Sequence, residues 1–176
     1  MENVSTVSSK TKCSIIGTAG LAFCGVLVET SMNVTFPTLM TQFHESLNNV
    51  QWVTTIYLLV VAITMTTTAF AQCRFSLRSL LTLAGLLFVL GILTSGLARS
   101  LPILLVGWGI QGVSTGLTMP LMFAIIMQQV PLQFQGQYIG LAGMVIAFAP
   151  SLGPTYGGFI TQTAAWPLIF WITLPI

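Results

Sequence analysis

The sequence predicts an all-α, polytopic bundle of transmembrane helices, on three observations. Apolar runs of roughly twenty residues or more recur along the chain, and each can cross a hydrocarbon core of about 30 Å at about 1.5 Å per helical residue. Hydrophobic residues make up 55% of the 176 positions, and mean hydropathy is +0.93. Only five basic and three acidic residues are present, far fewer than a soluble domain of this length needs for its surface. A formal net charge of +2 with no basic patch speaks against a nucleic-acid partner. Cys13, Cys24 and Cys73 form no CxxC and have no histidine beside them, so neither a disulfide framework nor a metal site is expected. With no nucleophile–base pair or phosphate loop spelled out, the chain is not expected to be an enzyme or to hold a cofactor.

The elements follow in order. Residues 1–13 read as a polar, Ser/Thr-rich cytoplasmic tail carrying Lys10 and Lys12, and residues 14–176 as the bundle. The first helix covers about 14–40, ending near Pro37, and its apolar run is too long for a cleavable leader. A polar loop with Glu45, Asn48, Asn49 and a lone, solvated His44 leads to a second helix over about 50–71. Gln72, Cys73, Arg74 and Arg78 form the next turn, followed by helices over about 79–98 and 102–127. After an uncharged loop with Pro131, the fifth helix covers about 137–161, and Trp166-Pro167 opens a partial sixth over 166–176. About eleven residues give roughly 17 Å of helix, short of a full span. The chain is therefore expected to be a fragment or short product, completed by missing C-terminal helices or partner membrane helices. Lys10, Lys12, Arg74 and Arg78 fall on one side and Arg99 on the other. The positive-inside rule then puts the N-terminus in the cytoplasm.

Glu29 is the one acid within an apolar run. Placing a charged carboxylate at mid-bilayer costs at least ~2.5–3.5 kcal/mol, so it should face a cavity or a partner. Asn33 and Pro37 follow at i+4 and i+8 on the same helix face. The residues alone leave two readings: a neutral acid hydrogen-bonded between helices, or a coupling or substrate-cation site. On the fourth helix, Gly109, Gly112 and Gly116 line up for close packing, beside a polar stripe of Gln111, Thr115 and Thr118. On the fifth, Pro150 and Pro154 share a face, and Gly153 and Gly157 make a small-xxx-small pair. Trp52 and Tyr57 read as interfacial aromatic anchors.

Gly153-Pro154-x-x-Gly157-Gly158 resembles the antiporter motif of the major facilitator superfamily. Leu-Val-Glu29-Thr-Ser-Met-Asn33-Val-Thr-Phe-Pro37 is similar to the first-helix signature of its fourteen-helix drug:proton antiporters, with Glu29 where that branch usually has Asp. Val50-Gln-Trp-Val-Thr-Thr-Ile-Tyr-Leu-Leu59 matches the same branch's entry to the second helix. The resemblance runs from about Ser14 to Ile176 and implies the N-terminal bundle of a multidrug efflux transporter in the plasma membrane. Proton-coupled export of drugs or amphipathic small molecules would follow, driven by the proton gradient. Glu29, Asn33, Gln111 and Trp108 would then serve coupling or substrate, and Arg74 and Arg78 would belong to a gating loop. Several charges of the pattern are absent. Gln72 replaces the loop's acid, Trp108 stands at the fourth helix's arginine, and Gln135 and Pro167 fall where the branch often has arginine. These losses motivate the alternative of a non-transporting remnant, or a small membrane protein that only packs with partner helices.

Overall fold

Inside a bilayer, backbone polar groups have no water to bond, so a spanning chain satisfies them within helices. The computed structural model of the chain, which describes residues 8–174, follows that rule. Its elements are α1 (Ser9–Phe43), α2 (Leu47–Arg74), α3 (Leu77–Gly96), α4 (Leu101–Gln129), α5 (Leu132–Thr163) and α6 (Leu168–Thr173). The first five are long and apolar enough to cross a membrane. The protein is an all-α, multi-pass membrane bundle.

The helices differ from the sequence reading mainly at their ends. α1 begins at Ser9, which brings Lys10 and Lys12 into its first turns, and residues 1–7 of the expected tail lie outside the described residues. It also runs through Pro37 to Phe43 instead of stopping near the proline. Pro37 forfeits one backbone bond, but it lies on an exposed face. Beyond it, the Thr41 hydroxyl donates back to Thr38 O at 2.8 Å. The helix stops where exposed His44 takes a left-handed conformation (φ 53°) with its N–H on Met40 O. At 35 residues, or about 52 Å, α1 outreaches the hydrocarbon core, so its polar ends stand in the interface. α5 likewise starts at Leu132, ahead of the expected position. α6 begins at Leu168, and residues 175–176 of the expected sixth segment are outside the described residues.

α4 is the central helix, packed against α3, α2 and α1, while α5 rests chiefly on α1. Small residues make this possible, because helices in lipid associate by close van der Waals approach. A Cβ added at Gly112 would lie 3.1 Å from Tyr57 O of α2, and one at Gly116 would lie 2.7 Å from Thr64 Cβ and 2.9 Å from Val61 O. Toward α3, Gly107 abuts Ser95, and a Cβ at Gly91 would sit 2.9 Å from Gln111 N. Gly109, which the spacing groups with Gly112 and Gly116, faces open space instead and takes no part in the seam. Hydroxyls stitch the same interfaces: Ser114 donates to Ala84 O at 2.7 Å and Thr68 to Gly116 O at 3.4 Å. Large apolar residues are exposed on all five spanning helices, among them Ile63 and Phe70 of α2 and Phe148 and Phe159 of α5.

Gly116→Val is expected to destabilise the bundle by about 1–3 kcal/mol through overpacking. Gly140→Ala, where nothing lies within 4 Å, should be neutral or gain up to about 1 kcal/mol in helix propensity. Thermal unfolding of the two variants in dodecyl maltoside, followed by circular dichroism, checks the pair.

Candidate functional site

A stripe on α1 organises the site. Gly25, Glu29, Asn33 and Pro37 succeed one another every four residues along one stripe of α1, which meets α4 at Gly25 and α2 at Asn33. Their exposure rises along the stripe: Gly25 is buried, Glu29 half-buried, and Asn33 and Pro37 exposed. At the closed end the Tyr57 hydroxyl of α2 donates toward Gly25 O (3.2 Å) and Thr115 Oγ1 of α4 (3.0 Å). At the open end Thr54 Oγ1 of α2 donates to Asn33 Oδ1 at 3.2 Å. Glu29 lies one turn from each of these contacts, and Tyr57 is within its electrostatic reach. Among the described residues no side-chain hydrogen bond or neighbouring charge engages the Glu29 carboxylate. An acid in an apolar helix is thus set at the border between the packed core and the exposed end of the stripe.

The adjacent face of α1 seats α5. A Cβ at Gly153 would collide with Thr30 Oγ1 and lie 2.7 Å from Thr30 Cβ, and one at Gly157 would meet Ser31 O at 2.5 Å. Ser31 Oγ, fully buried, donates to Leu27 O at 2.6 Å and across the seam to Gly153 O at 3.0 Å. Pro154 and Pro150 point away from this seam and are exposed, and Gly158 only grazes Val34 at 3.8 Å. Of the motif on α5, the two glycines four apart therefore make the helix contact, and Glu29 directly precedes the residues that receive it.

Trp108 and Gln111 are placed differently from the acid. Trp108 is fully buried, its ring edge-to-face with Tyr57 (5.0 Å) and Phe170 of α6 (6.3 Å). The series continues through Trp166 to Phe43, with the Trp166 indole N–H on Gln42 Oε1 at 2.5 Å. The ring is core packing and is not presented to an open cavity. Gln111 is fully buried against α3, and neither of its amide atoms has a partner. Arg74 and Arg78 are exposed at the α2–α3 turn, Arg74 lying 5.8 Å over the Phe70 ring. Gln72 beside them supplies no charge. Sequence reasoning missed Tyr57 as a site residue. It is 1% exposed, buried at a three-helix junction, whereas Trp52, 56% exposed, suits the interfacial role read for both. The signal available was position: Tyr57 lies well inside its apolar run, a full helical turn and more beyond Trp52.

Residues 18–176 match the sequence profile of the Major Facilitator Superfamily. The chain is 38% identical over 162 residues to the uncharacterised MFS-type transporter YhcA of Bacillus subtilis, covering 92% of this chain and 30% of the relative. It is 37% identical over 153 residues to the lincomycin resistance protein LmrB of the same organism, covering 87% of this chain and 32% of LmrB. The chain thus spans about a third of the length of the curated relatives it matches. In fold it is similar to the crystal structure of a bacterial homologue of the human lysosomal transporter Spinster, inward-facing and unoccupied. The TM-score is 0.79 at 16% identity, covering 96% of this chain and 41% of the other.

The two buried polar groups beside the site separate by substitution. Gln111→Leu removes an amide with no partner and is expected to be neutral or stabilising. Tyr57→Phe strips the hydroxyl from the junction and should cost about 0.5–1.5 kcal/mol. Unfolding midpoints measured side by side in one detergent check the contrast.

Proposed function

The chain belongs to the major facilitator superfamily, a family of membrane transporters, and from that premise we propose that it forms the N-terminal bundle of a proton-coupled exporter of amphipathic small molecules in the plasma membrane. The observation that carries the reading is Glu29, half-buried in a membrane helix with no counter-ion among the described residues, between buried Gly25 and exposed Asn33. Intramembrane acids are costly and mark ion or substrate pathways. Gaining or losing a proton at this carboxylate changes by one unit the charge held on the stripe. That alters the cost of burying it, which is a physical link between proton and conformation. Asn33, with Thr54, offers a polar contact on the open side for substrate or water.

Export rather than uptake is supported by the likeness to LmrB, named for lincomycin resistance, and by the first- and fifth-helix motifs. The glycine seam between α1 and α5 would keep this side of the pathway tight against leak, and Arg74 and Arg78 would flank the cytoplasmic gate. Alternating access rocks one bundle against another around a midplane site, so this bundle would work with a second one. Lys10, Lys12, Arg74 and Arg78 share one end of the bundle, which supports a cytoplasmic N-terminus. Trp108 and Gln111 would act at one remove, by fixing Tyr57 and the α3–α4 packing behind the acid.

The test is drug-dependent proton movement by the whole transporter in liposomes loaded with a pH-sensitive dye. Addition of lincomycin or ethidium should drive counter-movement of protons in the wild type. Glu29→Gln is expected to reduce that signal to background while substrate still binds, and Glu29→Asp to keep it. Undiminished proton movement with Gln at this position would assign coupling to another group.

A further inference from the structure

Where α1, α3 and α4 meet at the basic end of the bundle they form a half-open pocket of about 80 Å³. Its polar lining is Lys10 and Ser14 from α1, Arg78 from α3 and Gln129 from α4, and Leu77 and Leu81 form an apolar wall. A water's share of liquid volume is about 30 Å³, so the space holds a group the size of two or three waters. Drug-sized ligands take pockets of about 300–1,000 Å³, which excludes a transported amphiphile here.

Positive charge gathers at this pocket, and no acid among the described residues lines it. Arg78 lies in the first turn of α3, where the helix dipole already places partial positive charge. No acidic residue occupies that turn, and its one side-chain cap is the Ser76 hydroxyl on Ser79 N at 3.2 Å. Lys10 brings a second cation. Of the acids in the described residues, Glu29 is about 28 Å up α1 and Glu45 holds Asn49 at 2.6 Å beyond its far end. Thr11 Oγ1 donates to Gln129 Oε1 at 3.1 Å, which orients that amide and leaves its N–H₂ as a donor. Two cations, an amide donor and a helix start around a phosphate-sized space form a receptor for an anion. The apolar wall, at the end of membrane-crossing helices, sets that anion at headgroup level. Basic pockets between membrane helices suit anionic lipid headgroups.

We propose that Lys10, Arg78 and Gln129 form a site for the phosphate of one anionic phospholipid, seated at the junction of α1, α3 and α4. Lys12 and Arg74 are not part of it. Lys12 lines a separate apolar groove with Ile16 and Leu141, and Arg74 rests on Phe70.

Native mass spectrometry of the chain in detergent tests this, with dioleoylphosphatidylglycerol, dioleoylphosphatidylcholine and inorganic phosphate as probes. The phosphatidylglycerol should be retained one per chain in preference to phosphatidylcholine, and millimolar inorganic phosphate should not displace it. Each basic residue near an anionic lipid is worth about fivefold in affinity, so Lys10→Gln with Arg78→Gln should weaken retention about twenty-five-fold. Lys12→Gln with Arg74→Gln should leave it unchanged, and Lys10→Arg with Arg78→Lys should keep it, all with wild-type circular dichroism. Equal retention of the two lipids would overturn the site, as would an equal loss from the Lys12/Arg74 pair, which means diffuse surface charge. Displacement by inorganic phosphate would overturn the lipid assignment in favour of a soluble anion.

Discussion

One hydroxyl joins three helices, and the geometry around it governs the rest of the bundle. Tyr57 reaches Gly25 O and Thr115 Oγ1 only because Gly25 has no side chain, since a Cβ there would collide with Thr115 Oγ1. In lipid a buried hydroxyl without a partner is costly, so the bond and the close approach of α1 to α4 depend on each other. The consequences travel along α1 in both directions. One turn on, Glu29 is held at the edge of the packed region, and the residues after it meet the glycines of α5. The position of the acid is thus set by packing on two sides, from α2 and α4 at Gly25 and from α5 at Thr30 and Ser31.

The retained scaffold and the lost charges of the resembling antiporters are two sides of one exchange. Where those transporters carry arginine on the fourth helix, Trp108 joins an edge-to-face aromatic series running from Tyr57 to Phe43. Buried ion pairs incur large desolvation penalties and are often matched or bettered by well-packed apolar groups of similar volume. Gln135, at another arginine position, donates to Met127 O and Val130 O at 3.0 Å each and so caps the last carbonyls of α4. A neutral amide there does for the helix end what a cation would do through the dipole. The α4 core is built from shape rather than charge, and among the described residues the intramembrane acid Glu29 has no counter-ion.

Much of this was legible in the chain. The apolar runs located the five spanning helices among the described residues because a bilayer demands long uncharged segments, and the Gly153–Gly157 spacing marked a close helix contact, though not its partner, because small residues four apart share a face. Helix ends were less legible. α1 passes Pro37 because an outward-facing proline loses a single bond, and hydropathy cannot register the polar turns at Ser9 and Leu132 that extend beyond the core. Partnership across helices was least legible. Gly109 and Gly112 look alike in sequence, yet one faces open space and the other the backbone of α2. Tyr57 resembles an interfacial anchor until its junction with Gly25 and Thr115 is seen.

Glu29 then stands out by what surrounds it. An ionised carboxylate in a membrane helix needs a partner, water or a proton, and among the described residues no partner engages it. Along the α1 stripe, burial falls from Gly25 to Pro37, so the acid has dense packing on one side and the exposed end of the stripe on the other. On the Gly25 side the three helices are packed together at Tyr57 and Thr115. On the Asn33 side the Thr54–Asn33 bond is exposed, and under the proposed coupling role that is the side from which a proton would reach the carboxylate. A site with one closed and one open flank has a direction. Motion that moved α2 relative to α1 would exchange which flank is sealed, and that would turn a titratable side chain into part of a pump.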